Sequence, residues 1–100
     1  MPRWRRWVFE IRAPADDFLT LLERSLTQNG VRVDRAERFD LVARAFGVRG
    51  YVALGWADEG LELRVKLKSG LFASPPALER LLLEAGREAQ AALTFDKEAP

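Results

Sequence analysis

The stretch "LELRVKLK", residues 61–68, decides the fold because its side chains alternate without a break. Four apolar residues alternate with four charged ones, so a β-strand here would bury one face and expose the other. A sheet with one buried face and one solvent-exposed face is typically antiparallel. The preceding segment "GYVALGWADEG" predicts the hairpin partner of this strand, with a turn at residues 58–60 and Val52, Leu54 and Trp56 in the core.

Three further strands are predicted on the N-terminal side of this hairpin. β-branched and aromatic residues recur from residue 31 onward, and glycines punctuate the run, which favours strands at residues 31–36 and 39–46. Near the N-terminus, "RWVFEIR" alternates with a period of two and predicts a first strand. Its core face would carry Trp7, Phe9 and Ile11, and residues 3–5 would form a frayed terminus.

Two helices complete the pattern. "APADDFLTLLERSLTQNG" predicts a helix of about 14 residues, with acidic residues at the positive end of its dipole and Asn29-Gly30 as its stop. A second helix should begin after Ser74 and run to about residue 93. The two predicted apolar stripes consist of Phe18, Leu21, Leu22, Ser25 and Leu26, and of Leu78, Leu81, Leu82, Ala85, Ala89 and Ala92. Leu83 departs from the second stripe and is expected to be an isolated exposed leucine.

The predicted order is therefore β-α-β-β-β-β-α in a single domain, residues 1–100. Because each helix has one apolar stripe and each clear strand has one apolar face, both helices should cover the same side of the sheet. We expect an α+β fold, a two-layer sandwich with one mainly antiparallel sheet of about five strands and two helices on one face. The sequence leaves the strand order in space open.

Composition excludes several classes of protein. The chain is 48% hydrophobic and 31% charged, which argues against a disordered chain, and its uncharged runs are too short to span a bilayer. We expect no membrane partner, no secretory signal peptide and a cytoplasmic location. The chain is arginine-rich, with 13 arginines to 3 lysines, and holds only three amide side chains. The scarcity of amides suggests a thermophilic source, although a GC-rich genome would also explain the arginines.

The residue types that most enzymes need are missing. Histidine and cysteine are absent, which excludes histidine-based nucleophilic systems, thiolate metal sites and the usual nitrogen ligands of zinc. The acidic pairs Asp16-Asp17 and Asp58-Glu59 are explained by a helix N-terminus and a hairpin turn. The glycines of "GVRGYVALG" lack the strand-loop-helix context of a phosphate loop. We therefore expect no enzyme activity, no cofactor and no metal.

One surface stands out instead, the sheet face that the helices leave uncovered. With the predicted strand phases, its net charge is +4 in a chain whose net charge is +1. The cations expected there are Arg6, Arg12, Arg44, Arg49, Arg64, Lys66 and Lys68, against Glu10, Asp40 and Glu62. Val8, Val42, Phe46 and Tyr51 should share this face, as should Trp4 if the first strand begins that early.

Three functions fit such a face. The leading expectation is self-association as a homodimer, or docking to a protein partner, because one sheet face has no covering element within the chain. The alternative is nucleic-acid binding, with basic side chains on the phosphates of single-stranded RNA and aromatic rings under its bases. Both use Arg6, Arg12, Arg44, Arg49, Tyr51, Arg64, Lys66 and Lys68. A third is small-molecule binding in a pocket near Trp56 and the last helix.

The segment "FEIRAPADDFLTLLE" resembles the first strand and helix of START-like helix-grip proteins. The long amphipathic C-terminal helix is also part of that family's pattern. The resemblance implies a ligand cavity between a curved sheet and the last helix. It covers about 15 residues, in a chain with fewer predicted strands than a full helix-grip domain, and it assigns no ligand-contacting residue.

Overall fold

Five strands and two helices follow one another in the predicted order in the computed structural model, which describes residues 4–98. Their bounds are β1 Trp4–Phe9, α1 Ala15–Gln28, β2 Arg32–Arg35, β3 Leu41–Ala45, β4 Val48–Ala57, β5 Gly60–Ser69 and α2 Pro75–Glu98. The strands form one antiparallel sheet, and the helices pack on it. The predicted α+β sandwich is thus confirmed.

The ten-residue strands β4 and β5 form the centre of the sheet, whose spatial order is β1-β5-β4-β3-β2. Their register pairs Val52 with Val65 and closes on a tight turn between Ala57 and Gly60. Because successive side chains point to opposite faces, this register directs Leu63 and Val65 toward the helices, where both are fully buried. The alternation of residues 61–68 therefore separates a buried face from an exposed face, as predicted.

Both helices lie on one side of the sheet and also pack against each other. The buried residues of α1 include Phe18, Leu22 and Leu26, and those of α2 include Leu78 and Leu82, in agreement with the predicted stripes. A side-chain hydrogen bond joins the two helices, with Ser25 Oγ donating to Glu88 Oε2 at 2.6 Å. Leu83 was expected to be exposed, but it is partly buried and packs against the core.

The first strand is displaced from its predicted position. It begins at Trp4, so Trp4 and Arg5 are not frayed, while Arg3 lies outside the described residues. It ends at Phe9, where the Ile11 N–H donates to the Phe9 carbonyl at 2.9 Å in a three-residue turn. Ile11 stays in the core as predicted, but Arg12 lies beyond the strand.

The prediction that Trp56 belongs to the core is wrong, since this side chain is 53% exposed. Strand β3 pairs with β4 only as far as Val52, so Trp56 has a strand neighbour on one side alone. The small-molecule pocket expected there would be open to solvent. Where α2 crosses β4, a side-chain atom added at Gly50 would come within 3.3 Å of Leu78, which leaves no room at this point for the cavity implied by the helix-grip resemblance.

Phe46 also lies outside its predicted strand, in the turn that joins β3 to β4. Ala45 pairs with Val48, so Phe46 and Gly47 form a two-residue loop. Both have positive φ angles, 55° and 72°, as a type I′ turn requires. Glycine adopts this region readily, whereas a bulky L-residue does not. Phe46 is therefore held in a strained conformation.

We predict that Phe46→Asn is more stable than Phe46→Ala by about 1 kcal/mol. Both variants remove the ring, but only asparagine tolerates the left-handed conformation at low cost, and Asn-Gly is the preferred pair for this turn. Urea unfolding of the two variants measures the difference. Equal stabilities would contradict the assignment of a type I′ turn.

Candidate functional site

The sheet face turned away from the helices carries most of the side chains predicted for the site. Its cations are Arg6, Arg32, Arg44, Arg49, Arg64, Lys66 and Lys68. Arg12 is not among them, because β1 ends before it, and Arg32 of β2 takes its place. The acidic residues are Asp34 and Glu62, with Asp40 at the margin, whereas Glu10, which was expected on this face, lies beyond the end of β1. Seven cations and three acids leave the expected charge of +4.

Four of these cations lie side by side in one line across the sheet, which we call the cation row: Arg32, Arg44, Arg49 and Lys68. Arg32 is the register partner of Arg44, and Arg44 is the partner of Arg49. Arg49 in turn pairs with Lys68, so the row crosses β2, β3, β4 and β5 without a gap. All four side chains are exposed, and three strand spacings of about 4.8 Å make the row roughly 14 Å long.

The cation row is poorly neutralised within the domain. Arg44 Nη1 lies 2.8 Å from Asp34 Oδ2, but Arg32, Arg49 and Lys68 have no carboxylate within 4.0 Å among the side chains described for residues 4–94. Elsewhere on the face, Arg6 and Arg64 share Glu62. Like charges directly opposite each other on neighbouring strands destabilise a sheet. The folded domain therefore tolerates a repulsive arrangement in this row.

An aromatic cluster lies beside the cation row, made of Trp4, Phe39 and Tyr51. The ring centroids of Phe39 and Tyr51 are 4.9 Å apart, and those of Phe39 and Trp4 are 5.8 Å apart. The guanidinium of Arg64 and the ammonium of Lys66 lie 5.7 and 6.0 Å from the centre of the Trp4 ring. Cations over an aromatic face are attracted by its quadrupole. Aromatic and basic groups thus form one continuous surface.

Asp40 explains why Phe39 reaches this surface. The Asp40 N–H donates to the Val52 carbonyl at 2.8 Å, and Asp40 Oδ2 accepts a 2.7 Å hydrogen bond from the Leu54 N–H. Asp40 therefore satisfies backbone groups of β4 just before the start of β3. The prediction of strand at residues 39–40 is wrong, because the side chain of Asp40 replaces the next step of the ladder, and the loop carries Phe39 over the sheet face.

The Tyr51 hydroxyl lies within the field of the cation row. It accepts a 3.2 Å hydrogen bond from Arg49 Nη1. This hydrogen bond, together with the positive charges of Arg49, Lys68 and Arg44, lowers the pKa of Tyr51 below its ordinary value of 10.0, and partial desolvation opposes the change. The lowered pKa of Tyr51 reflects the positive potential at this place.

Two grooves run along these groups and meet at Lys68 and Ser69. The first has a volume of about 580 Å³ and is lined by all four residues of the cation row and by Gly47 and Gly70 of two neighbouring loops. The second, of about 730 Å³, is lined by Phe39, Tyr51, Lys66, Leu67, Lys68 and Ser69. A ligand that is both anionic and planar would find charges in one groove and aromatic rings in the other.

Three residues of the cation row and the aromatic cluster, Arg32, Phe39 and Trp4, were not among the site residues predicted from the sequence. The alternation of Val31 and Val33 with Arg32 and Asp34 was a readable signal for Arg32. No signal in the sequence identified Phe39, because its position depends on the contacts of Asp40 with β4. Trp4 was placed on this face only on the condition that β1 begins early, and it does.

Among the residues that the structure describes, no three acidic or histidine side chains come together as metal ligands would. Over the same residues, neither helix combines the length and apolarity needed to cross a membrane.

Comparison with known proteins gives no family assignment. No protein-family model matches the chain, and no curated protein or solved structure is significantly similar to it.

The pKa of Tyr51 provides a direct test of the cation row, because the chain has a single tyrosine. Titration of tyrosinate absorbance should give a pKa below 10, and Lys68→Gln or Arg44→Gln should raise it. Since the folded-state pKa is the lower one, this interaction stabilises the fold fully only above about pH 10 and is lost as the pH falls through the folded-state pKa.

Arg80→Gln on α2 removes an equal charge from an exposed position on the helical side and should leave the Tyr51 pKa unchanged. A wild-type pKa of 10 or higher would contradict the geometry of the cation row.

Proposed function

We propose that this domain is a non-catalytic nucleic-acid-binding module that holds RNA on the uncovered face of its sheet. The cation row carries the proposal. Phosphates placed along it would replace repulsion between neighbouring cations by attraction, and phosphate contacts supply most of the affinity in nucleic-acid recognition. A solvated face without a ligand would more commonly pair opposite charges across strands.

The aromatic cluster supports nucleic acid over other polyanions. Base stacking on protein rings is a general means of holding a single strand, because every base has an aromatic face. Tyr51 and Phe39 line a groove that continues from the cation row through Lys68. A strand with phosphates in the first groove would therefore have bases within reach of the second.

Self-association through the same face is less compatible with this electrostatic pattern. Two copies placed face to face would each contribute a charge of +4, which opposes close contact at low salt.

One observation favours a different form of self-association, since β1 is an edge strand on which Trp4 and Val8 are each 40% exposed. Pairing of two β1 edges is the second candidate, and it would leave the cation row accessible.

Salt separates the two candidates. Pairing through an apolar edge should persist or strengthen in high salt, whereas RNA binding should weaken. Light scattering at low and high salt measures the molecular mass and so tests the pairing of β1 edges. A monomer at high micromolar concentration under both conditions would exclude the dimer.

For RNA binding, we predict that log K falls with log salt concentration with a slope of about −3, from four phosphate contacts on a single strand. The double variant Arg49→Gln/Lys68→Gln should bind a short oligonucleotide at least tenfold more weakly in low salt, with a slope near −1.5. Fluorescence anisotropy with labelled octauridylate at several salt concentrations measures both quantities.

The matched control is Arg80→Gln/Arg87→Gln, which removes two exposed charges from α2 and should leave affinity and slope unchanged. Equal losses in the two double variants would show that net charge alone, and not the cation row, governs binding. Absence of wild-type binding in low salt would overturn the proposed function.

A further inference from the structure

Three exposed apolar residues, Phe46, Leu71 and Phe72, lie at one end of the molecule and form what we call the apolar tip. Phe72 is fully exposed, Leu71 is 89% exposed and Phe46 is 49% exposed. Backbone hydrogen bonds hold their two loops together, from the Ser74 N–H to the Phe46 carbonyl at 3.0 Å and from the Gly70 N–H to the Gly47 carbonyl at 3.3 Å. These hydrogen bonds therefore fix the positions of the two loops that form the apolar tip.

Packing within the domain does not account for these side chains. A fully exposed phenylalanine removes no surface from water, so Phe72 gains nothing from burial. Phe46 and Phe72 are also the two non-glycine residues of the described chain with positive φ angles, 55° and 60°. A bulky residue in this region is strained, and such strain is found mostly at functional sites. Two strained, exposed phenylalanines at one end of the molecule point to a ligand.

The position of the tip identifies the kind of ligand. Gly47 follows Phe46, Gly70 precedes Leu71, and both glycines line the groove that holds the cation row. The tip thus lies beside the cation row, displaced from it along the strands toward the end of the sheet. A polyanionic strand bound along the row would pass next to the tip, whereas a bilayer surface would be met better by cations arranged around the tip.

We propose that the apolar tip is a base-stacking subsite, in which the exposed ring of Phe72 holds an unpaired nucleobase of the strand whose phosphates lie on the cation row. This inference rests on the proposed nucleic-acid binding and adds to it a subsite for one unpaired base. A base within a duplex is already stacked on its neighbours and cannot cover the Phe72 ring.

The test compares octauridylate with an abasic oligomer of the same length and charge, by competition against labelled octauridylate. Phe72→Ala should weaken octauridylate binding roughly tenfold and leave abasic binding unchanged, because it removes a stacking partner and no charge. Phe72→Trp should restore the affinity. Trp56→Ala, which removes an exposed aromatic ring elsewhere on the molecule, is the matched control and should change neither affinity.

Several results would overturn the subsite. These are an unchanged octauridylate affinity in Phe72→Ala, an equal loss for the abasic oligomer, or wild-type binding to a duplex as tight as to the single strand. Binding of phosphatidylserine vesicles that requires Phe72, with no effect of Phe72 on octauridylate, would assign the tip to a membrane surface instead.

Failure of the proposed function looks different, because the wild type would then bind neither oligomer in low salt. Urea unfolding shows whether Phe72→Ala is folded, and its stability should equal or exceed that of the wild type, since the lost ring makes no buried contact.

Discussion

The register between β4 and β5 is the constraint on which the rest of the structure depends. It pairs Val52 with Val65 and, three residues further along, Arg49 with Lys68. A slip of one residue would turn Leu63 and Val65 to solvent and bring Arg64 and Lys66 under the helices. The same pairing thus fixes the core on one side of the sheet and the charged surface on the other. Strands β1 and β3 then add to this pair in registers that extend both faces.

The two faces obey different physical requirements. On the helical side, the requirement is burial, and Phe18, Leu63 and Leu82 meet it without exposed surface. On the other side, the arrangement of charges lowers the stability of the folded domain, because neighbouring strands place cation opposite cation. The strained phenylalanines at the end of the sheet add a second local cost. We propose that these features, which cost stability and lie next to one another, are parts of one binding surface.

Much of the fold follows from local sequence. Alternation of residues 61–68 assigns the faces of the central strand, and the stripes of both helices predict the side they bury. The sequence also identifies Arg44, Arg49, Tyr51 and Lys68 as outer-face residues, because their strand phases are regular. These inferences succeed because they depend on periodicity within one element.

Most of the failures concern contacts between distant segments. The cation row exists only when four strands are set in register, so no single segment reveals that Arg32 and Lys68 belong to one line. The hydrogen bond from the Leu54 N–H to Asp40 moves Phe39 from a predicted strand onto the sheet face. A turn at Ile11 removes Arg12 from the face. Each of these details arises from backbone hydrogen bonding that the pattern of apolar residues does not encode.

The location of the binding surface is the central claim, and amide chemical-shift mapping tests it most directly. On addition of a short single-stranded oligonucleotide in low salt, we expect shifts at the cation row, at Tyr51 and in the loops of residues 46–47 and 70–73, with the amides of α1 unchanged. Shifts concentrated on the helical side, or no shifts at saturating oligonucleotide, would contradict it.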